Sequence, residues 1–488
     1  MGRLAIATAL LALFKPAFVV AQLTNYTSTC ISIASAISSA SNVYYPYDVN
    51  YLSDISHYAS SSAQNSTCSV EPGTAEDVAT ILQIVGRTKT PFGVKGGGHI
   101  MNPGYSSTPG VLISMTRFNS VVYDSSAQTA AVGAGLTWDS VYSALEPHGV
   151  NVVGGRVSGI GVAGYTLGGG YSWLTNQYGL SLDNVAAFEL VLPNGTIINV
   201  TESSYPDLYF GLRGGYNNYG IVTTFTLRTY PQGQVWGGQL IFLGTDVVDQ
   251  VNTATANFAA NVTDPKASII TTVDFEGGVI LASVLIFYDA PEPPSGIFDE
   301  FLAIPAFSSN VSTRSFLDLI QVEPTETSTG YRGYYNTVPL QEITPSILQL
   351  IVEQAQYWGS ILSGDTENLI SYDIEPLLPT ILDHGSPSAY PPTRAQRFLP
   401  LNIYFSWTDA SYDSDFYNAI VASQENITLA AMQEGQSEVG TAPRYPNYAI
   451  YNTPISYLYG NSLSTMSQLK ARYDPDNVMG LAGGWKIY

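Results

Sequence analysis

The sequence predicts an α+β chain of two domains, the second an antiparallel sheet covered by helices. Three observations carry this expectation. The chain has 488 residues, enough for more than one hydrophobic core. Residues 66–232 read as short strands joined by glycine turns with occasional helices. Residues 235–442 read as longer extended segments separated by helical stretches, and residues 443–488 return to aromatic and glycine-rich loops expected to rejoin the first domain.

At the start of the chain, Met1 to Arg3 are basic, Leu4 to Phe14 form an apolar run, and Val19-Val20-Ala21 offers a small-residue cleavage site. This pattern predicts a secretory signal peptide over residues 1–21. The run is too short to cross a bilayer, and Lys15-Pro16 interrupts it, so no membrane span is expected. The only cysteines, Cys30 and Cys68, are an even pair that an exported chain is expected to join, two buried thiols being the alternative. Closing that loop is worth about 4 kcal/mol in the chain-entropy model. Seven sequons, at Asn25, Asn65, Asn194, Asn199, Asn261, Asn310 and Asn426, agree with export to an oxidising, glycosylating compartment.

The next elements follow from caps and glycines. Thr74, with acids after it, predicts a helix over 75–86. Phe92 to Lys95, Val111 to Ser114 and Thr129 to Gly133 read as strands, and Trp138 to Gly149 as a helix closed by glycine. Phe188–Leu192 and Thr196–Val200 flank Pro193-Asn194-Gly195 as a hairpin. In the second half, 238–243, 268–274, 279–288 and 401–407 read as strands, and 347–361 and 412–432 as helices.

Charge and residue counts exclude several functions. Lys and Arg total 18 against 39 Asp and Glu, a net charge of −21, so nucleic acid would be repelled. Only 12% of residues are charged and 45% are hydrophobic, which rules out a disordered acidic chain. The four histidines lack metal-ligand spacing, so no metal site is expected, and no Gly-x-Ser-x-Gly elbow occurs. Gly159-Ile160-Gly161-Val-Ala-Gly164 matches the dinucleotide fingerprint in letters. Gly168, Gly169 and Gly170 arrive within four residues and would cost about 3 kcal/mol inside a helix, so the Rossmann reading fails.

Two glycine-dense segments remain, Lys95-Gly96-Gly97-Gly98-His99 and Gly154-Gly155-Arg156 through Gly170. Runs of this kind let backbone N–H groups converge on a pyrophosphate, while a tight turn is the alternative for each. Two in one half of the chain favour a large phosphate-bearing cofactor.

The ordered series 72–78 (Pro-Gly-Thr-Ala-Glu-Asp-Val), 94–99, 133–138, 159–170, 178–185, 207–223, Tyr445-Pro-Asn-Tyr448 and 473–478 resembles the FAD-binding domain of the vanillyl-alcohol-oxidase and p-cresol-methylhydroxylase (PCMH) superfamily. Within it, the berberine-bridge-enzyme-like fungal members are most similar. The resemblance implies a PCMH-type fold in which residues 66–232 and the C-terminal segment hold FAD under a roof formed by the middle domain. It maps His99 onto the histidine that bonds the flavin's 8α carbon. Lys95, Gly96, Gly97, Gly98, Gly155, Ile160, Gly161, Gly164, Gly168, Gly169, Gly170, Gly220, Ile221 and Asn447 fall on its cofactor-binding segments.

Many relatives carry a second attachment, a cysteine, where this chain has Val157. Attachment through His99 alone is therefore expected. Tyr445 and Tyr448 fall on the segment lining the substrate face; a phenol there would take a substrate proton as hydride leaves, with packing as the alternative role. The implied activity is hydride removal from an alcohol or amine carbon of a small organic molecule, with O2 as the expected partner. Ile160 sits where a side chain influences oxygen access, which leaves oxidase and dehydrogenase behaviour open. A secreted carbohydrate oxidase of the same fold and a cofactor-free carbohydrate-binding protein are the alternatives. Oligomeric state is not legible.

Overall fold

The computed structural model describes residues 26–323, 329–362 and 368–488; the expected signal segment and the sequon at Asn25 lie outside them. A small first sheet holds β1 (Asn42–Tyr44), β2 (Cys68–Glu71), β3 (Phe92–Lys95) and β4 (Val111–Ser114) in the order β1-β2-β4-β3. The β2, β4 and β3 strands run parallel, and β1 pairs antiparallel at the edge. Between β2 and β3 lies the helix Ala75–Thr88. Its N-cap is Thr74, whose hydroxyl accepts from the Asp77 N–H, and Glu76 and Asp77 face the positive helix end as the sequence predicts.

A second sheet contains β5 (Val121–Asp124), β6 (Thr129–Gly133), β8 (Val185–Val191), β9 (Ile197–Thr201) and β10 (Ile221–Arg228), ordered β5-β6-β10-β8-β9 and antiparallel throughout. Strands β7 (Val150–Asn151) and β11 (Tyr230–Pro231) form a separate short pair. The predicted hairpin is β8–β9, with Gly195 at φ +88° in its turn. The fingerprint segment forms only a six-residue helix, Val162–Leu167, before Gly169 and Gly170 turn the chain at φ +133° and +84°. That conformation costs a side-chain-bearing residue its steric freedom and suits glycine.

The remaining strands are β12 (Val235–Leu243), β13 (Ala267–Glu276), β14 (Val279–Tyr288), β15 (Ser308–Arg314), β16 (Arg332–Leu340), β17 (Asn368–Ile374) and β18 (Leu399–Trp407). They form one seven-stranded antiparallel sheet, β15-β12-β14-β13-β17-β18-β16. Helices Thr245–Asn261, Pro345–Leu362 and Asp413–Gln433 cover one face of it. Period-two alternation sorts the faces: Val273, Phe275, Ile370, Tyr372, Ile374, Ile403 and Phe405 bury themselves under the helices, and their neighbours point the other way.

The C-terminal residues pack back on the first sheets. Val478 lies against Gly86, close enough that a side chain there would touch it at 3.0 Å, and Ala482 bridges to Phe92. Cys30 and Cys68 are joined as a disulfide that ties the helix Thr27–Ala36 to β2. No helix of the described residues is long and apolar enough to cross a membrane.

Candidate active site

Between the glycine loops of the first half and the uncovered face of the seven-stranded sheet lies a cavity of about 1180 Å³. That exceeds the usual range for a single small ligand and leaves room for a large cofactor with a substrate beside it. Of the expected cofactor residues, Gly96, Gly97, Gly98, His99, Val157, Ile160, Gly161, Gly164, Ile221 and Asn447 line it. The two glycine loops meet backbone to backbone. A Cβ on Gly97 would fall 2.6 Å from Gly161 Cα, so neither position admits a side chain. Gly164 has open space where a Cβ would stand, on the cavity side.

Other expected cofactor residues stand behind this wall. Lys95 donates from Nζ to the carbonyls of Ser53 and Asp54, at 3.1 and 2.7 Å, and so ties the loop down from outside. Gly155 packs on the Trp138 indole, where a Cβ would fall 2.5 Å from the ring. Gly168 presses on Tyr216 and Asn447, Gly169 on Tyr390 and Tyr445, and Gly170 on Tyr165 and Ser181. Gly220 takes φ +154° beneath the Val191 carbonyl. These glycines shape the site without facing it.

His99 closes the glycine run with its ring stacked on Tyr58, centroids 4.1 Å apart and planes 15° from parallel. Its Nε2 is buried and has no hydrogen-bond partner. Burial pulls the imidazole pKa down to about 4, so the ring is neutral with a free nitrogen lone pair or N–H at any physiological pH. An orphaned imidazole nitrogen beside a glycine loop fits an attachment point for a flavin ring.

Tyr445 and Tyr448 also line the cavity. The Tyr445 hydroxyl accepts from the Gly170 N–H at 3.1 Å and from Asn447 Nδ2 at 2.8 Å. Burial pushes its pKa up to about 12, although those two bonds oppose the rise. Tyr448 is placed differently: its hydroxyl donates to Glu375 Oε1 at 2.9 Å and accepts from Arg156 Nη2 at 2.9 Å. Arg156 in turn grips Glu375 with both terminal nitrogens, at 2.5 and 2.8 Å, and the Glu375 side chain is 1% exposed. Burial works against the Arg156 charge, but Glu375 and Tyr448 outweigh it and hold the guanidinium pKa above its usual value.

Arg156 and Glu375 escaped the sequence reading because they are 219 positions apart and no local pattern links them. The residues facing the cavity from β13, β17 and β18 were also missed: Thr272 and Asp274, Ser371 and Asp373, Asn402, Tyr404 and Ser406. Their signal was present as alternation, each of these residues except Thr272 flanked by apolar ones that go under the helices. No group of His, Cys, Asp and Glu able to hold a metal occurs among the described residues.

Comparison with known proteins agrees with this geometry. A family model described as an FAD binding domain matches residues 66–201. An FAD-linked oxidoreductase of Arthroderma benhamiae is 40% identical over 280 residues, 56% of either chain. The FAD-dependent monooxygenase drtC of Aspergillus calidoustus is 30% identical over 454 residues, 88% of this chain and 85% of that one. The solved structure of a variant of Physcomitrella patens BBE-like 1 shares the fold, with a TM-score of 0.75 at 21% identity over 93% of this chain and 97% of that one. A matched FAD binding domain and a relative 30% identical over most of both chains show that the chain belongs to the FAD-dependent oxidoreductases, with the fold of a BBE-like protein.

Proposed function

We propose that this chain is an exported oxidase that carries FAD on His99 alone and removes a hydride from an alcohol or amine carbon of a small organic substrate, such as a fungal secondary-metabolite intermediate. Bound FAD supplies a two-electron acceptor. The observation that carries the reading is the hydrogen-bonded set Arg156–Glu375–Tyr448, which lines the same cavity as His99. Tyr448 accepts the substrate's hydroxyl or amine proton at its phenol oxygen while its own proton moves to Glu375 Oε1. Arg156 holds Glu375 in place through two hydrogen bonds. Tyr445, fixed by Gly170 and Asn447, positions the neighbouring wall and remains a second candidate for the proton.

Single attachment is supported by Val157, whose side chain lines the cavity and offers no nucleophile, and by the two cysteines being joined to each other. Export is supported by that disulfide and by the six sequon asparagines among the described residues, all of which are exposed. The test is anaerobic mixing of the purified yellow protein with a panel of alcohols and amines. Bleaching of the flavin bands, with peroxide formed on admitting O2, is the expected result. A flavin that no alcohol or amine bleaches overturns the reading.

A further inference from the structure

The uncovered face of the seven-stranded sheet is laid out in rows across the strands. Register places Thr272 beside Asp373 beside Asn402 in one row, Asp274 beside Ser371 beside Tyr404 beside Tyr335 in the next, and Glu276 beside Leu369 beside Ser406 in a third. The Glu375 end faces the proton-accepting set, and the Glu276 end is the exposed rim. At about 6.6–6.8 Å for each two-residue step, Asp373 stands about 7 Å and Asp274 about 14 Å along β17 and its neighbour from the level of Glu375.

Charge on this wall does not balance. Among the described residues, five carboxyls line the cavity, Asp274, Glu276, Glu323, Asp373 and Glu375, and the only basic side chains with them are Arg156 and His99. Arg156 is spent on Glu375, and His99 is neutral. The undescribed stretches 324–328 and 363–367 contain no Lys, Arg or His. Three polar atoms in the same wall also lack partners, one of them the donor Asn368 Nδ2 at the rim end of β17. Asn402, 5% exposed, gives its Nδ2 to Asp373 and leaves Oδ1 unbonded, and Ser406, fully buried, leaves Oγ unbonded. A carboxamide oxygen can only accept, so the missing partner of Asn402 is a donor.

Resting on the reading of this cavity as the substrate site, we propose that the substrate carries a protonated amine seated against Asp274, Asp373 and the Asn402 carbonyl, about 7 to 14 Å along the wall from the oxidised carbon. A neutral polyol would satisfy the unbonded Asn and Ser atoms but would leave the buried carboxylates uncompensated; an ammonium group answers both. In the same row, Tyr404 two strands from Asp274 and Tyr335 one strand further also line the cavity and add faces on which a cation is favoured. Burial pushes Asp373 up to about 6 and Glu323 up to about 7, with Glu375 raising Asp373 further and Arg156 opposing. Asp274 is raised in the same sense by burial and by Asp373, Glu323 and Glu276, against a hydrogen bond from Ser371. These groups face no other cation among the described residues lining the cavity.

The test is calorimetric titration of the purified holoprotein with benzylammonium, benzyl alcohol, benzoate and cellobiose, the amine staying charged from pH 5 to pH 8. The expected result is about tenfold tighter binding of benzylammonium than of benzyl alcohol at pH 8. That preference should shrink towards pH 5 as the carboxyls take up protons, and Asp274→Asn with Asp373→Asn should abolish it while flavin content is retained. Equal affinities, tighter binding of benzoate or cellobiose, no binding of benzylammonium, or a preference that survives the double substitution overturns the proposal. Flavin absorbance on the same samples separates the two readings. A yellow protein without cation preference defeats this proposal alone, and a colourless protein that prefers the cation defeats the flavin reading alone.

Discussion

Glu375→Gln keeps the shape of the side chain and removes its charge. In the native site Glu375 receives two bonds from Arg156 and one from Tyr448, with its side chain 1% and that of Arg156 10% exposed. The amide retains one acceptor oxygen, which keeps the Arg156 Nη2 and Tyr448 bonds if it takes the Oε1 position and only the Arg156 Nη1 bond if it takes the Oε2 position; either way a buried guanidinium is left without a countercharge. Breaking a pair of this burial by removing one partner costs about 3–5 kcal/mol. Replacing both partners with apolar residues of similar size, Arg156→Met with Glu375→Leu, removes the stranded charge and should recover most of that loss, so the two sites are strongly non-additive. The assay is equilibrium denaturant unfolding of the holoprotein followed by tryptophan fluorescence. A cost below about 1 kcal/mol for Glu375→Gln, or additive effects in the double variant, refutes the claim that this ion pair is dry and tightly coupled.

Other consequences follow from the same geometry. Tyr448→Phe should slow flavin reduction by an accepted substrate about 10²- to 10⁴-fold with flavin content unchanged, and Tyr445→Phe should slow it less; equal rates for both variants and the parent would assign both rings to packing. Cys30 and Cys68 should resist alkylation until reduced, and replacing both with serine should cost about 2–5 kcal/mol in unfolding; ready alkylation without reductant contradicts this. Asp373 and Glu323 have folded pKa values of about 6 and 7, raised above those of the unfolded chain, so the folded state binds more protons between pH 4 and 7. Their contribution to stability is present at low pH and is lost as pH rises through that window, and Asp373→Asn should flatten the pH dependence of the unfolding midpoint there.

Much of the fold was legible because its signals are local. Thr74 with Glu76 and Asp77 marked the helix start, and Asn194-Gly195 marked the β8–β9 turn. The three glycines after Leu167 ended the helix that a dinucleotide fold would have needed. The glycine-loop wall of the cavity was legible for the same reason, since Gly97 and Gly161 lie in glycine runs that sequence displays directly. The sheet wall was not. Strand β10, central in its sheet, starts within a segment whose only sequence signal is its family pattern. Asp373 and Asn402 acquire meaning only when register sets them side by side, and Arg156 meets Glu375 only after the middle domain folds over the first. Pairings across hundreds of residues are set by tertiary packing, which leaves no periodic trace.

The claim on which the account rests is that His99 holds the flavin, and the intact mass of the acid-denatured protein tests it most directly. The parent chain should carry one FAD that survives denaturation, localised by peptide mapping to the His99 peptide and to no other. His99→Ala should show the bare polypeptide mass, with any flavin released into the supernatant. A parent chain without bound mass, or an adduct that persists in His99→Ala, contradicts the account.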